Sequence, residues 1–148
     1  MERRFMDQNK TITEFQEEVW VKCPSCGKRA IAIANYGLKK SRLSCPNCSY
    51  HKELVTQVES FGTMGNLIMA ANQYFDAELW LQHPFKNDIF FAYNDKHLYY
   101  LENYISAKLR EHKERSHFTL LERLPKFYHE GKNRKALLKI IERLKTRF

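Results

Sequence analysis

No uninterrupted apolar run in this chain is longer than that of residues 67–71, so no segment reads as a bilayer-spanning helix. The first fifteen residues carry Glu2, Arg3, Arg4, Asp7 and Lys10 without an apolar stretch, and they do not read as a signal peptide. The expectation is a cytoplasmic protein with no membrane partner. A G-x-x-x-x-G-K-[ST] loop for nucleotide phosphates is also missing, and 148 residues are too few for a motor domain; a helicase is excluded. Neither an H-E-x-x-H pair nor a nucleophile motif surrounds the histidines at 51, 83, 97, 112, 117 and 129. Those histidines are best read as surface or helix-cap residues, and no enzyme is expected. Low-complexity segments are absent too, and aromatics at 14% suffice to build a packed core from few positions.

The most informative absence is of acids. Residues 22–52 contain seven Lys or Arg and not one Asp or Glu. Residues 108–148 hold thirteen basic residues against five acids, whereas residues 53–107 sum to −5 and residues 1–21 to −2. The net charge of +8 therefore sits in two basic blocks around an acidic middle, a pattern that permits a polyanionic partner.

What the chain does have is four cysteines in two C-x-x-C pairs, Cys23-Pro-Ser-Cys26 and Cys45-Pro-Asn-Cys48, eighteen residues apart, with none left over. Each C-x-x-C bend puts two thiolates on one side of a turn, and two such bends supply the tetrahedral sulfur set that zinc takes. Gly27 follows the first pair and Ser49 the second, small residues that let backbone amides point at the sulfurs. Lys22, Lys28 and Arg29 favour the double negative charge of such a centre. Disulfides are disfavoured in a reducing cytosol, and a catalytic zinc keeps an open position that four cysteines would fill. Iron takes the same sulfur cage, and spacing does not choose between the metals. One structural Zn2+ on Cys23, Cys26, Cys45 and Cys48 is the expected cofactor, with His51 a minor alternative ligand.

Residues 18–22, 29–36 and 41–44 read as strands around the two knuckles, and residues 51–61 as a further extended segment. Gly62 and Gly65 break the chain beyond it, and residues 66–74 suit either a short helix or a linker. Residues 77–82 and 88–93 form a predicted hairpin through 83–87. Asn94 is a predicted N-cap for a helix to about residue 112, with Leu98, Leu101, Ile105 and Leu109 on one face. Ser116 caps a second predicted helix carrying Leu120, Leu121 and Leu124 up to Pro125. The last, over about residues 132–145, has the stripe Leu137, Ile140, Ile141 and Leu144. The expected fold is α+β: an N-terminal zinc ribbon over 18–60, then a β-hairpin and about three C-terminal helices over 61–148 packed as one unit with the ribbon.

The stretch between Cys23 and Cys48 resembles zinc ribbons of the transcription-factor-IIB type and the broader rubredoxin-like knuckle group. The remainder resembles small bacterial proteins described only as zinc-ribbon-containing. That likeness rests on Leu79-Trp80-Leu81-Gln82, Ala92-Tyr93-Asn94, His97-Leu98, Tyr100-Leu101-Glu102, Leu109-Arg110-Glu111, Leu121-Glu122-Arg123-Leu124-Pro125 and Lys132-Asn133-Arg134. It implies an architecture and a metal, and no activity.

Two groups of basic residues are the candidate nucleic-acid contacts. Lys28, Arg29, Lys39, Lys40 and Arg42 belong to the ribbon, while Lys132, Lys135, Lys139 and Arg143 share one face of the last predicted helix. Trp20, Trp80 and the aromatics Phe90, Phe91, Tyr93, Tyr99, Tyr100 and Tyr104 read as core rather than as stacking platforms. The expected function is binding of DNA or RNA backbone, the alternative a protein-interaction adaptor.

Overall fold

A computed structural model of the chain describes residues 4–6, 13–107, 109–111 and 125–148, with side chains over 15–107 and 125–148. The chain divides into two compact units, Phe15–Leu81 and Met1–Glu14 with Gln82–Phe148. No described helix is long and apolar enough to cross a membrane.

The first unit is built on a four-stranded antiparallel sheet in the order β2 (Glu18–Lys22), β3 (Arg29–Asn35), β4 (Lys40–Ser44) and β5 (His51–Val55). Alternation along each strand decides what faces inward: Val19 and Val21, Ala30, Ala32 and Ala34, Ser41 and Leu43 are all buried. Cross-strand register stacks Val19, Ala32 and Leu43 in one row. Alanines there leave room for a 3-10 helix, Ala71–Phe75, whose Ala71 is buried along with Ala70 before it. The segment reaching that helix is tied to the sheet by Tyr36, whose hydroxyl donates to the Met69 carbonyl at 2.6 Å.

Residues 51–61 are extended as predicted but broken at Thr56, where the chain leaves the sheet. Thr56 is buried, its N–H donates to the Lys39 carbonyl at 2.9 Å, and its Oγ1 donates to Asn66 Oδ1 at 3.1 Å. Beyond it β6 (Gln57–Ser60) and β7 (Thr63–Asn66) form a separate hairpin.

The predicted strand over residues 77–82 is split. Leu79 bridges Val21, with Lys22 N–H donating to the Glu78 carbonyl and Trp80 N–H to the Trp20 carbonyl, so this stretch lines the outer edge of β2. The hairpin strand starts later: β8 (Leu81–Phe85) pairs with β9 (Asp88–Ala92) across a tight turn at Lys86, whose φ is +52°.

In the second unit Asn94 caps α2 (Asp95–Ser106) as expected, its side chain accepting from His97 N–H at 2.9 Å. Leu98, Leu101 and Ile105 are buried on one face. The helix stops at Ser106, because Ala107 is extended at φ −75°, ψ 135°. Leu109 is therefore not a helical residue: β10 (Leu109–Glu111) pairs in parallel with β1 (Arg4–Met6). The last helix, α3 (Arg134–Lys145), carries the predicted stripe, with Leu137, Ile141 and Leu144 buried and Ile140 half-buried. Each fully buried leucine or isoleucine contributes about 1.5–3 kcal/mol. Around α2 and α3 lie stacked Phe90 and Tyr128, centroids 5.2 Å apart, and the Lys145–Glu102 ion pair at 2.6 Å.

The expectation of an α+β chain with about three C-terminal helices is overturned. The described residues are predominantly strands, ten of them in four small sheets, against the two twelve-residue helices α2 and α3 and the four-residue α1 (Thr13–Gln16). Leucine spacing at 98, 101, 105 and 109 matched a helical period, yet pairing with the N-terminal strand takes the last of these for β structure. The helix expected after Ser116 lies outside the described residues.

His97 is almost wholly inaccessible, and its Nδ1 accepts the Tyr93 N–H at 2.9 Å, so the ring is neutral at that nitrogen. Burial pushes its pKa down to about 3. In the unfolded chain it protonates near pH 6.5, so the unfolded state gains a proton first and stability falls as pH drops from about 6.5 towards 3. Between pH 6.5 and 5 this residue should remove about 2 kcal/mol, at about 1.4 kcal/mol per pH unit. Urea unfolding of this unit should show that loss, and His97→Gln should flatten it. An unchanged pH slope in the variant would contradict the assignment.

Candidate metal centre

The sheet register places the cysteines. Lys22 lies opposite Arg29 and Ser44 opposite His51, so the loop from β2 to β3 and the loop from β4 to β5 leave the same end of the sheet. Cys23 and Cys26 occupy the first loop, Cys45 and Cys48 the second.

Both loops close in the same way. Cys23 N–H donates to the Lys28 carbonyl at 2.8 Å and Gly27 N–H to the Cys23 carbonyl at 3.0 Å. Twenty-two residues on, Cys45 N–H donates to the Tyr50 carbonyl at 2.9 Å and Ser49 N–H to the Cys45 carbonyl at 3.0 Å. Gly27 has φ +76° and Ser49 φ +65°, so the backbone turns through a left-handed residue after each pair, at the two small residues expected to let it turn.

The four Sγ atoms lie within 4.8 Å of one another. Cys23 and Cys48 sulfurs are 3.6 Å apart, as are those of Cys26 and Cys45. Disulfide bonding needs about 2.05 Å, so these thiols are free. Four sulfurs at about 2.3 Å from a central zinc stand about 3.8 Å apart in a tetrahedron, a match to the observed spacing. Cys23 and Cys45 are buried, Cys26 is half-buried and Cys48 is exposed, so the cluster sits at the sheet end with one side open to water.

Donors aimed at the sulfurs complete the geometry. Ser25 and Cys26 amides donate to Cys23 Sγ at 3.4 and 3.5 Å, and Asn47 Nδ2 donates to Cys26 Sγ at 3.5 Å. The Lys28 amide, followed by the Asn47 side-chain amide, brings the Cys26 thiol down to about 6. Burial raises that of Cys23, but the Cys26 and Ser25 amides outweigh it and the net shift is downward. Tyr50 N–H lowers that of Cys48, yet burial and the neighbouring cysteines prevail and leave it at about 11. Four thiols this close cannot all ionise without a cation among them. The donor set, the spacing and the amides suit a metal ion. His51, at the start of β5, is exposed and stands outside the cluster. Asn47 is a sulfur-directed donor absent from the residues predicted by spacing; its place inside the C-P-N-C bend was the available signal.

The basic candidates fall on solvent-facing positions. Lys28, Lys39, Lys40 and Arg42 are exposed, while Arg29 is half-buried with its guanidinium 4.3 Å from the Trp20 ring centroid. In α3, Lys135, Lys139 and Arg143 are exposed opposite the leucine stripe, as is Lys132 just before the helix. Some are engaged: Lys40 with Glu53 at 3.5 Å, Lys132 with Glu130 at 3.1 Å, and Arg143 Nη1 with His83 Nε2 at 3.3 Å. Trp20, Phe90, Tyr100 and Tyr104 are buried, consistent with core residues, whereas Tyr99 is exposed.

Comparison with protein-family models, with curated proteins and with solved structures gives no match for this chain. The cysteine cluster itself is consistent with a zinc-binding site.

At Gly27 an added Cβ would meet only Lys22 Cε at 3.6 Å, so room is not limiting and the positive φ is the whole cost. Gly27→Ala should lower the thermal stability of the metal-loaded protein by about 1 kcal/mol. Ser49→Gly should raise it by about 0.5 kcal/mol, strain relief exceeding the added chain entropy. Thermal unfolding of both variants checks this, and a loss in both would contradict it.

Proposed function

We propose that this chain is a non-enzymatic zinc protein that binds the backbone of DNA or RNA. One structural Zn2+ on Cys23, Cys26, Cys45 and Cys48 joins the two loops, and all four positions of a tetrahedral shell are filled by protein, leaving none for substrate. The metal's task is then folding rather than chemistry.

The observation that carries the nucleic-acid reading is cations left available to solvent. Lys28, Lys39, Arg42, Lys135 and Lys139 are exposed and have no ion pair among the described residues. In the ribbon no acid lies between residues 22 and 52 to neutralise them. Contacts of this type release counterions from the phosphate backbone, so they give affinity without base preference and fall steeply with salt.

A second reading, a protein-interaction adaptor, has its own support in the β6–β7 hairpin. Phe61 at its turn is fully exposed with φ +52°, followed by Gly62 at +77°. Val58, Met64, Leu67 and Ile68 are exposed beside it, and residues 57–68 hold no Lys or Arg. An apolar arm without cations suits a protein surface better than phosphate.

Binding of the zinc-loaded protein to random-sequence DNA and RNA across a salt series separates the two. The backbone reading expects log-linear weakening with salt. Reversing Lys135 and Lys139 to Glu should weaken binding at least about tenfold and flatten the slope by about 2. Failure to bind at low salt contradicts it. The adaptor reading then expects a captured protein partner that is lost on Phe61→Ser with the metal still bound.

A further inference from the structure

We propose that the ribbon sheet takes single-stranded rather than duplex nucleic acid, with one unstacked nucleotide seated in a groove between Leu38 and Arg42. This rests on the nucleic-acid reading above and names its substrate class.

The groove lies where β3 and β4 approach their connecting turn and has a volume of about 280 Å³. Cross-strand register builds it: Ile33 stands opposite Arg42, which stands opposite Glu53, and two positions on, on the same face, Asn35 pairs with Lys40. The side chains at these positions point away from the buried alanine face. Ile33 is half-buried, and Leu38 at the turn is 68% exposed, so together they offer a partly open apolar wall.

That wall is held in place. Asn35 Oδ1 accepts the Leu38 N–H at 3.1 Å, and the Lys39 carbonyl accepts the Thr56 N–H at 2.9 Å. Lys39 itself is left-handed at φ +56°. Leu38 is thus kept in water by a turn pinned on both sides, although an apolar side chain of that size gains nothing from exposure.

The charges select the ligand. Glu53 is the one acid among the described residues lining the groove and is engaged by Lys40 at 3.5 Å. The guanidinium of Arg42, its direct cross-strand neighbour, has no ion pair or hydrogen bond among the described residues. Lys40, Arg42 and Glu53 leave the groove with one net positive charge, carried by a guanidinium whose fork fits a phosphate. With Asn35 Oδ1 committed to the turn, its Nδ2 remains to donate to a base carbonyl. An apolar wall for a planar face beside a free guanidinium suits a base and its phosphate. Bases stacked inside a duplex present no such face, and a strand whose bases swing out does.

The test is fluorescence anisotropy of the zinc-loaded full chain with oligo-dT, oligo-U and a duplex of equal length. Single strands should bind about tenfold tighter than the duplex. Leu38→Ser should remove most of that preference while leaving the salt slope unchanged, because no charge is lost; its exposed position keeps the core intact. Arg42→Ala should weaken single-strand binding about tenfold and lower the slope by about 1, with Arg42→Lys recovering part of it. Tighter binding of oligo-U or of oligo-dT identifies the strand as RNA or DNA, and either order supports the proposal. Equal affinity for duplex and single strands, or an unaltered preference in Leu38→Ser, overturns it. If reversal of Lys135 and Lys139 still weakens binding in that case, backbone binding itself survives. No binding to any of the three overturns both.

Discussion

Four cysteines meet at one end of the four-stranded sheet, and on the proposed reading a metal held there is the constraint on which the form of the sheet depends. Its inner face is lined by Ala30, Ala32 and Ala34 with Val19, Val21 and Leu43. Burying the three alanine methyls contributes about 2 kcal/mol, at about 0.8 kcal/mol per buried carbon, and Val19, Val21 and Leu43 contribute about 1.5–3 kcal/mol each. Zinc binding to such sites supplies roughly 10–16 kcal/mol. The small side chains admit the 3-10 helix of residues 71–75 against the sheet, and on the proposed reading a metal adds a contribution of at least the same order as this burial. The second unit is different. Its Phe90, Leu98, Leu101, Ile105, Tyr128, Leu137, Ile141 and Leu144 form an ordinary apolar core.

The outer face of the same sheet is partly open to solvent. Arg29 lies over Trp20, Lys40 is taken by Glu53, and Arg42 and Leu38 are left to solvent. The same register that brings the cysteines together sets Ile33, Arg42 and Glu53 in one row on the opposite face. The cysteine cluster and the proposed ligand groove are thus consequences of one strand pairing, at two places on one sheet.

The candidate site was legible because its signal is local. Cysteine spacing, the small residues at 27 and 49, and the alternation in residues 29–35 each act within a few positions, and the loops close as those residues dictate. The cap at Asn94 and the stripe on α3 were legible for the same reason. The illegible parts depended on partners distant in sequence. Leu109 has the spacing of a helical residue, but its backbone is claimed by a strand more than a hundred positions earlier. Residues 78–80 have strand character, but the edge of β2 captures them ahead of the hairpin. Thr56 gives no sign in the sequence that the chain will leave the sheet there; the Lys39 carbonyl and Asn66 side chain that hold it come from both directions.

The most direct test of the central claim is amide hydrogen exchange of the full chain before and after chelation, with the released metal identified by elemental analysis. A metal-clamped ribbon predicts one zinc per chain and loss of protection through β2, β3, β4 and β5 when it is removed, while α2 and α3 stay protected. Unchanged protection across those four strands with the metal gone would contradict it.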